Sequence, residues 1–435
     1  MSATADLLRF AASDHALPAD VRSDAIRLLG DTLAVGAAAV GAPGERAILE
    51  TARGFGKGAD ARLIGTAERL PAPGAAFVNG YRIHCLEWDA VHEPAVVHGM
   101  SVVTAALAAA IDRRIAAGGE CDAEKALVAL SIGVDIASGL GLCADSAMRF
   151  FRPAVTGVMG AAVAVARFDG FSIPDALGLA YSSAAGTMQA HVEGSETLPF
   201  QIANAARAAI TASDLASAGF GGPRDALEGP FGYLQLFESG DLRRYTENLG
   251  KVWRISEISV KPFPSGRASH AALGLLQQLS LTRKQVRDLT DIELACPPLI
   301  RRLVDRRWSP EMTPAWARLC MPYLVALLLT DGRIDPRRFT AQDFIDPALA
   351  HIAAKVRLTD DGTTDGNALF PQELTLTVAD GRRQSRVIAH TLGSPDNPLD
   401  ASQAEAKRVL ARDLAPADAD PRIFDNPLAY FVEPR

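Results

Sequence analysis

Three histidines and three carboxylates fall within fifteen residues, in the run His84-Cys-Leu-Glu87-Trp-Asp89-Ala-Val-His92-Glu93-Pro94-Ala-Val-Val-His98. An imidazole moves protons near neutral pH, and a carboxylate beside it fixes its tautomer and its charge. If His84 opens a helical turn, Glu87 shares its face at i+3, while Asp89 and His92 share another. Pro94–Gly99 reads as a loop, which puts His98 at the N-terminus of the next helix. There the positive end of the helix dipole favours a neutral imidazole, and nearby N–H groups attract anions. The same residue types also ligate metals, although no His-Glu-x-x-His spacing occurs. A solvated, capped loop is a third reading of this run, and spacing alone leaves all three open.

Three further segments hold groups suited to an anionic substrate. Arg149-Phe-Phe-Arg152-Pro153 leads into a Gly-containing helix, and Arg152 at that boundary could clamp a carboxylate through two parallel hydrogen bonds, or simply lie on the surface. Gly186–Ser195 is polar and irregular, and its His191 could transfer a proton or serve as a hydrogen-bonded structural group. Lys261-Pro-Phe-Pro264-Ser265-Gly266-Arg267 is stiffened by its prolines and stands where the composition changes, so its cations could face a ligand between two domains. No Gly-x-Ser-x-Gly elbow, Walker loop or Gly-x-Gly-x-x-Gly after a strand is present, which lowers serine-nucleophile, nucleotide and dinucleotide chemistries.

The elements that must position these groups differ along the chain. Up to about residue 255 the sequence is rich in Ala, Leu and Gly, and the patterning predicts helices over Leu7–Ala12, Val21–Val40, Ser101–Ala117, Ala123–Leu142, Val155–Phe168 and Ile173–Ser183. Beyond Lys261, helices over Ala272–Leu279 and Trp316–Leu329 mix with strands over Asp288–Ala295 and Ala353–Leu358. Glu373–Val378 and Arg383–Ile388 flank Asp380-Gly381 as a hairpin. Ser402–Leu414 is again helical. The fold class expected is mainly α: an all-helical domain over residues 1–258, a smaller α+β lid over 259–396, and a segment over 397–435 returning to the helical domain.

A chain of 435 residues with 48% hydrophobic and 22% charged residues can bury large cores. A net charge of −7 without basic blocks argues against nucleic-acid and membrane-surface partners. The five cysteines (Cys85, Cys121, Cys143, Cys296, Cys320) are scattered without a Cys-x-x-Cys pair and read as reduced, mostly buried thiols. The first ten residues lack a basic region followed by an apolar core, and the Ala-rich runs read as interrupted or too short to span a bilayer, so a cytoplasmic location is expected.

Taken in order, four stretches resemble the MmgE/PrpD family. They are Phe77-Val-Asn79-Gly80 running into His84-x-x-Glu87-x-Asp89 and His98; Gly157–Gly160; Ala203–Gly219 leading to Leu227-Glu228-Gly229-x-x-Gly232; and Lys261-Pro-Phe-Pro264-Ser265 followed by His270. The resemblance implies a helical domain and a lid, a homodimer, and an active site between the domains that needs no metal or organic cofactor. It places Asp89 and His98 in the active-site loop, Lys261 at the domain junction and Tyr323 on a lid helix. The chain departs from the family pattern at Phe151 or Arg152, Leu198, Gln201 and Gly266, where proton carriers are usual.

The implied activity is that of a lyase on a small di- or tricarboxylate, working through a carbanion beside a carboxylate. Dehydration or hydration is the first reading, and decarboxylation or epimerisation the second. A carboxylate-binding homologue without turnover is a different class that stays open. In the catalytic reading His98 is the acid/base, oriented by Asp89, with His191 in reserve and Tyr323 protonating the leaving hydroxyl. Lys261, Arg152 and Arg267 hold carboxylate oxygens, and His84, Glu87, Gln201 and Ser265 complete the substrate contacts.

Overall fold

Small residues set the architecture of the first two-thirds of the chain. In the computed structural model, which describes residues 2–146 and 148–433, helices Gly99–Ala116, Ala123–Leu142, Arg152–Asp169 and Thr197–Ser217 pack with Ala72–His84 around one core. The crossing of Ala123–Leu142 with Arg152–Asp169 is as close as backbones allow. A Cβ on Gly133 would lie 2.8 Å from the Gly160 carbonyl, and one on Gly160 would lie 2.3 Å from the Gly133 carbonyl. Only glycine fits at that point.

The Ala123–Leu142 helix, at 20 residues, is apolar and long enough to cross a bilayer, contrary to the expectation that these runs are too short. In its most apolar window 89% of the residues are buried inside the protein. Its buried Asp135 accepts hydrogen bonds from Tyr245 Oη (2.7 Å) and Arg254 N (2.8 Å). Burial pushes that carboxyl up to about 6. The helix is therefore a core element with an internal polar anchor.

A second core, from Phe263 to Ile388, packs helices His270–Leu279 and Met321–Asp331 against a four-stranded sheet. Val356–Asp360 runs parallel to Leu289–Cys296, which pairs antiparallel with Gln372–Val378, which in turn pairs with Arg383–Ile388. The hairpin turns at Gly381, whose φ of 84° suits glycine. One helix departs from its predicted course. Trp316–Leu329 is two helices, Pro314–Ala317 and Met321–Asp331, with Cys320 extended between them. Pro322 has no N–H to offer the Arg318 carbonyl and its ring would clash there, so the first helix cannot run on through it. The chain then returns. Helix Ala401–Leu414 packs on Ala19–Ala38, and Lys407 Nζ meets Asp31 Oδ1 at 2.6 Å.

Candidate functional site

His84 closes a helix rather than opening one. Ala72–His84 ends there, and Glu87, at φ 53°, turns the chain back on itself. A glutamate in the left-handed region costs about 1 kcal/mol, a strain that tends to persist where function holds it. The following segment folds into a narrow loop in which His92 N donates to Val97 O (2.9 Å) and Val96 N to Glu93 O (3.0 Å). Val91 and Ser259 exchange backbone hydrogen bonds of 3.0 and 2.8 Å, and this pairing brings Lys261 beneath the loop.

These constraints gather His84, Asp89, His98 and Lys261 at one buried point. His84 Nδ1 is 2.9 Å from Asp89 Oδ2. His98 Nδ1 is also 2.9 Å from that oxygen, but its ring is turned off the line of a good hydrogen bond. Ser101, in the first turn of the helix that His98 precedes, donates a short hydrogen bond to the same oxygen. Lys261 Nζ donates to Glu87 O (3.0 Å) and Oε2 (3.1 Å) and lies 3.8 Å from Asp89 Oδ1. The two imidazoles meet edge to face, with centroids 4.7 Å apart.

Their surroundings separate the two imidazoles in proton affinity. Burial lowers that of His84, but Asp89 and Glu87 outweigh it and leave His84 above its ordinary value. Burial, together with Lys261 and the neighbouring His84, holds His98 below its ordinary value despite Asp89. Burial also opposes ionisation of Glu87, yet Lys261 and the imidazoles bring it down to about 2. The cluster thus places two imidazoles shifted in opposite directions on a shared carboxylate, His84 towards the charged and His98 towards the neutral form. Titratable neighbours pushed apart in this way are suited to acid and base roles.

Both rings face a cavity of about 80 Å³ that has Glu87, Arg267 and His191 as its other polar lining and apolar walls formed by Met148, Phe151, Met188, Leu198, Leu303 and Leu319. Backbone hydrogen bonds from Phe151 N to Gly186 O (3.1 Å) and from Met188 N to Arg149 O (3.1 Å) tie two of the sequence segments together along one wall. His191 is held by Arg306, which donates to its carbonyl and approaches Nδ1 at 3.3 Å. Burial, then Arg306, pushes the His191 imidazole down to about 4, so it is neutral. A larger cavity of about 540 Å³ lies between Ala19–Ala38 and the C-terminal helices, but its buried ammonium, Lys407, is already paired with Asp31 and none of the candidate residues lines it.

Several expected residues are elsewhere or otherwise engaged. Tyr323 is in the lid core among Trp308, Phe339 and Phe344, and its hydroxyl donates to Arg338 O. Tyr323→Phe is therefore expected to leave turnover near normal while costing about 1 kcal/mol of stability. Assays and thermal melts of the purified variant check both. Arg152 does not line the cavity. It forms a buried ion pair with Glu238 (2.7 Å) and donates to Ser146 O (3.0 Å). Glu238→Ala, which strands that guanidinium, should cost about 3 kcal/mol in a denaturant titration.

Lys261 is committed to Glu87 rather than to a ligand. Arg267 lines the cavity but already meets Glu93 (2.7 Å) and Leu392 O (2.7 Å). Ser265 Oγ is 3.0 Å from His270 Nε2 behind the cavity. Gln201 Oε1 accepts from Thr187 N (2.6 Å) and so braces a loop. The helical pairing of Asp89 with His92 also fails, because His92 Nε2 is 2.9 Å from Glu257 instead. Glu238 and Arg306, which brace the walls of the site, gave no signal in the sequence, because their partners Arg152 and His191 lie 86 and 115 positions away.

His84, Asp89 and His98 also form a set of three donors within 4.8 Å of one another that could hold a metal ion. The 2.9 Å nitrogen–oxygen separations are hydrogen-bond distances. Tetrahedral ligands about 2.1 Å from a zinc ion lie roughly 3.4 Å apart, so metal binding would require the set to open.

Fold and cluster define a mainly helical protein with a smaller α+β region and a buried cluster of two imidazoles, a carboxylate and a lysine where the two cores meet. The chain belongs to the MmgE/PrpD family, matching its N-terminal domain over residues 8–245 and its C-terminal domain over residues 263–424. It is similar to cis-aconitate decarboxylase of Mus musculus (25% identical, covering 93% of this chain and 87% of the relative). It is also similar to cis-aconitate decarboxylase of Aspergillus terreus (24% identical, 87% and 82% covered) and to the cis-aconitate decarboxylase-like protein oryM of Aspergillus oryzae (26% identical, 95% and 91% covered).

Proposed function

We propose that this protein is a lyase that forms and quenches a carbanion beside the carboxylate of a small, mostly unsaturated or hydroxylated acid. The observation carrying this reading is the pair of imidazoles gathered on Asp89, shifted in opposite directions in proton affinity, at the wall of a mostly apolar cavity. In an elimination of water, neutral His98 takes the proton from the carbon next to the carboxylate. The electron pair forms the double bond, and the leaving hydroxyl departs as water with a proton from His84. His84 thereby takes the role that the sequence suggested for Tyr323. Both members of the pair are used, which favours dehydration, or the reverse hydration, as the first reaction.

A second reading, decarboxylation, is supported by the names of the relatives and by the apolar wall. A carboxylate facing Met148, Phe151 and Leu303 is poorly solvated, which favours its loss as neutral carbon dioxide. The C–C bond breaks, its electron pair enters the conjugated remainder, and His84 supplies the proton. The test is a panel of hydroxy- and unsaturated di- and tricarboxylates in heavy water, followed by NMR and by a carbon dioxide assay. Water loss or gain supports the first reaction and gas release the second. With neither reaction and no deuterium exchange at the substrate's α-carbon, the lyase reading fails.

The proposal includes a cytoplasmic homodimer and turnover without metal. Dialysis against a chelator should leave turnover unchanged, whereas loss restored by one added divalent ion would assign His84, Asp89 and His98 as ligands.

A further inference from the structure

Three of the five buried arginines among the described residues are neutralised: Arg152 pairs with Glu238, Arg82 with Glu45 and Arg254 with Glu257. Arg318 is different. It is 4% exposed, no carboxylate lies within ion-pair distance of it among the described residues, and its buried Nε has no hydrogen-bond partner there. The Phe339 ring covers one face of its guanidinium, 5.0 Å from the centroid, which leaves the N–H edge as the interacting side.

That side chain lines a crevice of about 20 Å³ together with Tyr81, His84, Glu87 and Leu198. The last three of these also line the main cavity, so the crevice adjoins it, and on its other side it reaches the exposed Glu196. Room for one or two water-sized groups matches the two oxygens of a carboxylate. Position is fixed as well. Gly266 N donates to Arg318 O (3.0 Å), in the break that Pro322 imposes on the lid helices. A Cβ at Gly266 would lie 2.4 Å from Leu319 Cδ2, so a larger residue there would have to displace that side chain.

We propose that Arg318 is the carboxylate receptor of the site, binding the carboxylate that a small organic acid retains while its neighbouring carbon faces His84 and His98. A planar guanidinium held on a ring and lacking a protein anion is suited to bidentate carboxylate capture, and burial leaves it costly until a ligand arrives. Arg306, also buried and without a carboxylate partner among the described residues, is already engaged with His191 O and so is the weaker candidate.

This inference rests on the lyase reading for its substrate class, but its test needs no turnover. Calorimetric titration of the full chain with citraconate and with cis-aconitate, set beside their methyl esters, measures binding alone. Arg318→Met is expected to weaken binding of the free acids about thirtyfold or more, to leave the weak binding of the esters unchanged, and to raise the thermal midpoint of the unliganded protein. Arg318→Lys should recover part of the affinity. A fall in the midpoint with unaltered acid binding would assign Arg318 a purely structural role and overturn the proposal. So would failure of the wild-type protein to prefer either acid over its ester. If binding follows the expectation while no reaction is detected, the lyase reading fails and the receptor stands.

Discussion

His98→Gln is expected to lower turnover by about a hundredfold or more while the protein stays folded, because it removes the neutral base and keeps a side chain of similar polarity. His98 precedes the Gly99–Ala116 helix without capping it, and its Nδ1 makes no well-aligned hydrogen bond that the fold would lose. Steady-state kinetics on the substrate found by the panel, with circular dichroism as the control for folding, measure both parts. Turnover within a few-fold of wild type would remove His98 from the mechanism. The pH dependence carries the same information. Activity requires His98 neutral and His84 charged, so kcat/KM should rise through a depressed imidazole pKa and fall through an elevated one. The ordinary value of 6.5 then sits inside the plateau.

Asp89→Asn should affect both activity and stability. Asp89 is fully buried and holds His84, His98 and Ser101 on one oxygen, with Lys261 near the other. Without its charge His84 loses the main influence that keeps it protonated, so turnover should drop by about a hundredfold, as for loss of a catalytic acid, and the alkaline limb should move to lower pH. The stability loss should be about 2 kcal/mol near neutral pH, limited because His84 can shed its proton.

The sign of the pH effect on stability follows from the same shifts. The folded Asp89 lies well below 3.8, so its contribution is present above that value and lost as pH falls through the folded pKa. His84 is raised above 6.5, so its contribution is present below that value and lost as pH rises through the folded pKa. Asp89→Asn should flatten both dependences in urea titrations across pH. An unchanged stability profile would show that the cluster does not hold the charges assigned to it.

The helical body was legible because Ala- and Gly-rich runs at helical spacing leave few alternatives. The central cluster was legible because Asp89 and His98 share a short loop before an apolar helix. Placement of the cations was not. Arg152 finds Glu238, and Lys261 finds Glu87, through contacts between residues 86 and 174 positions apart, which local spacing does not encode. Arg318 was hidden by a related error. A continuous helix from Trp316 to Leu329 buries it in a regular turn, whereas the break ahead of Pro322 frees its carbonyl for Gly266 and leaves its side chain in the crevice. Tyr323 looked usable because a helix was expected around it, but the shorter helix that forms, Met321–Asp331, turns that residue into the second core.

The most direct test is nitrogen NMR of the full chain with 15N-labelled imidazoles at pH 7, the signals of His84 and His98 being assigned through single His→Gln variants. Two protonated ring nitrogens in His84 and a single neutral tautomer in His98 are the predicted result. Equal protonation of the two rings, both neutral or both charged, would contradict it.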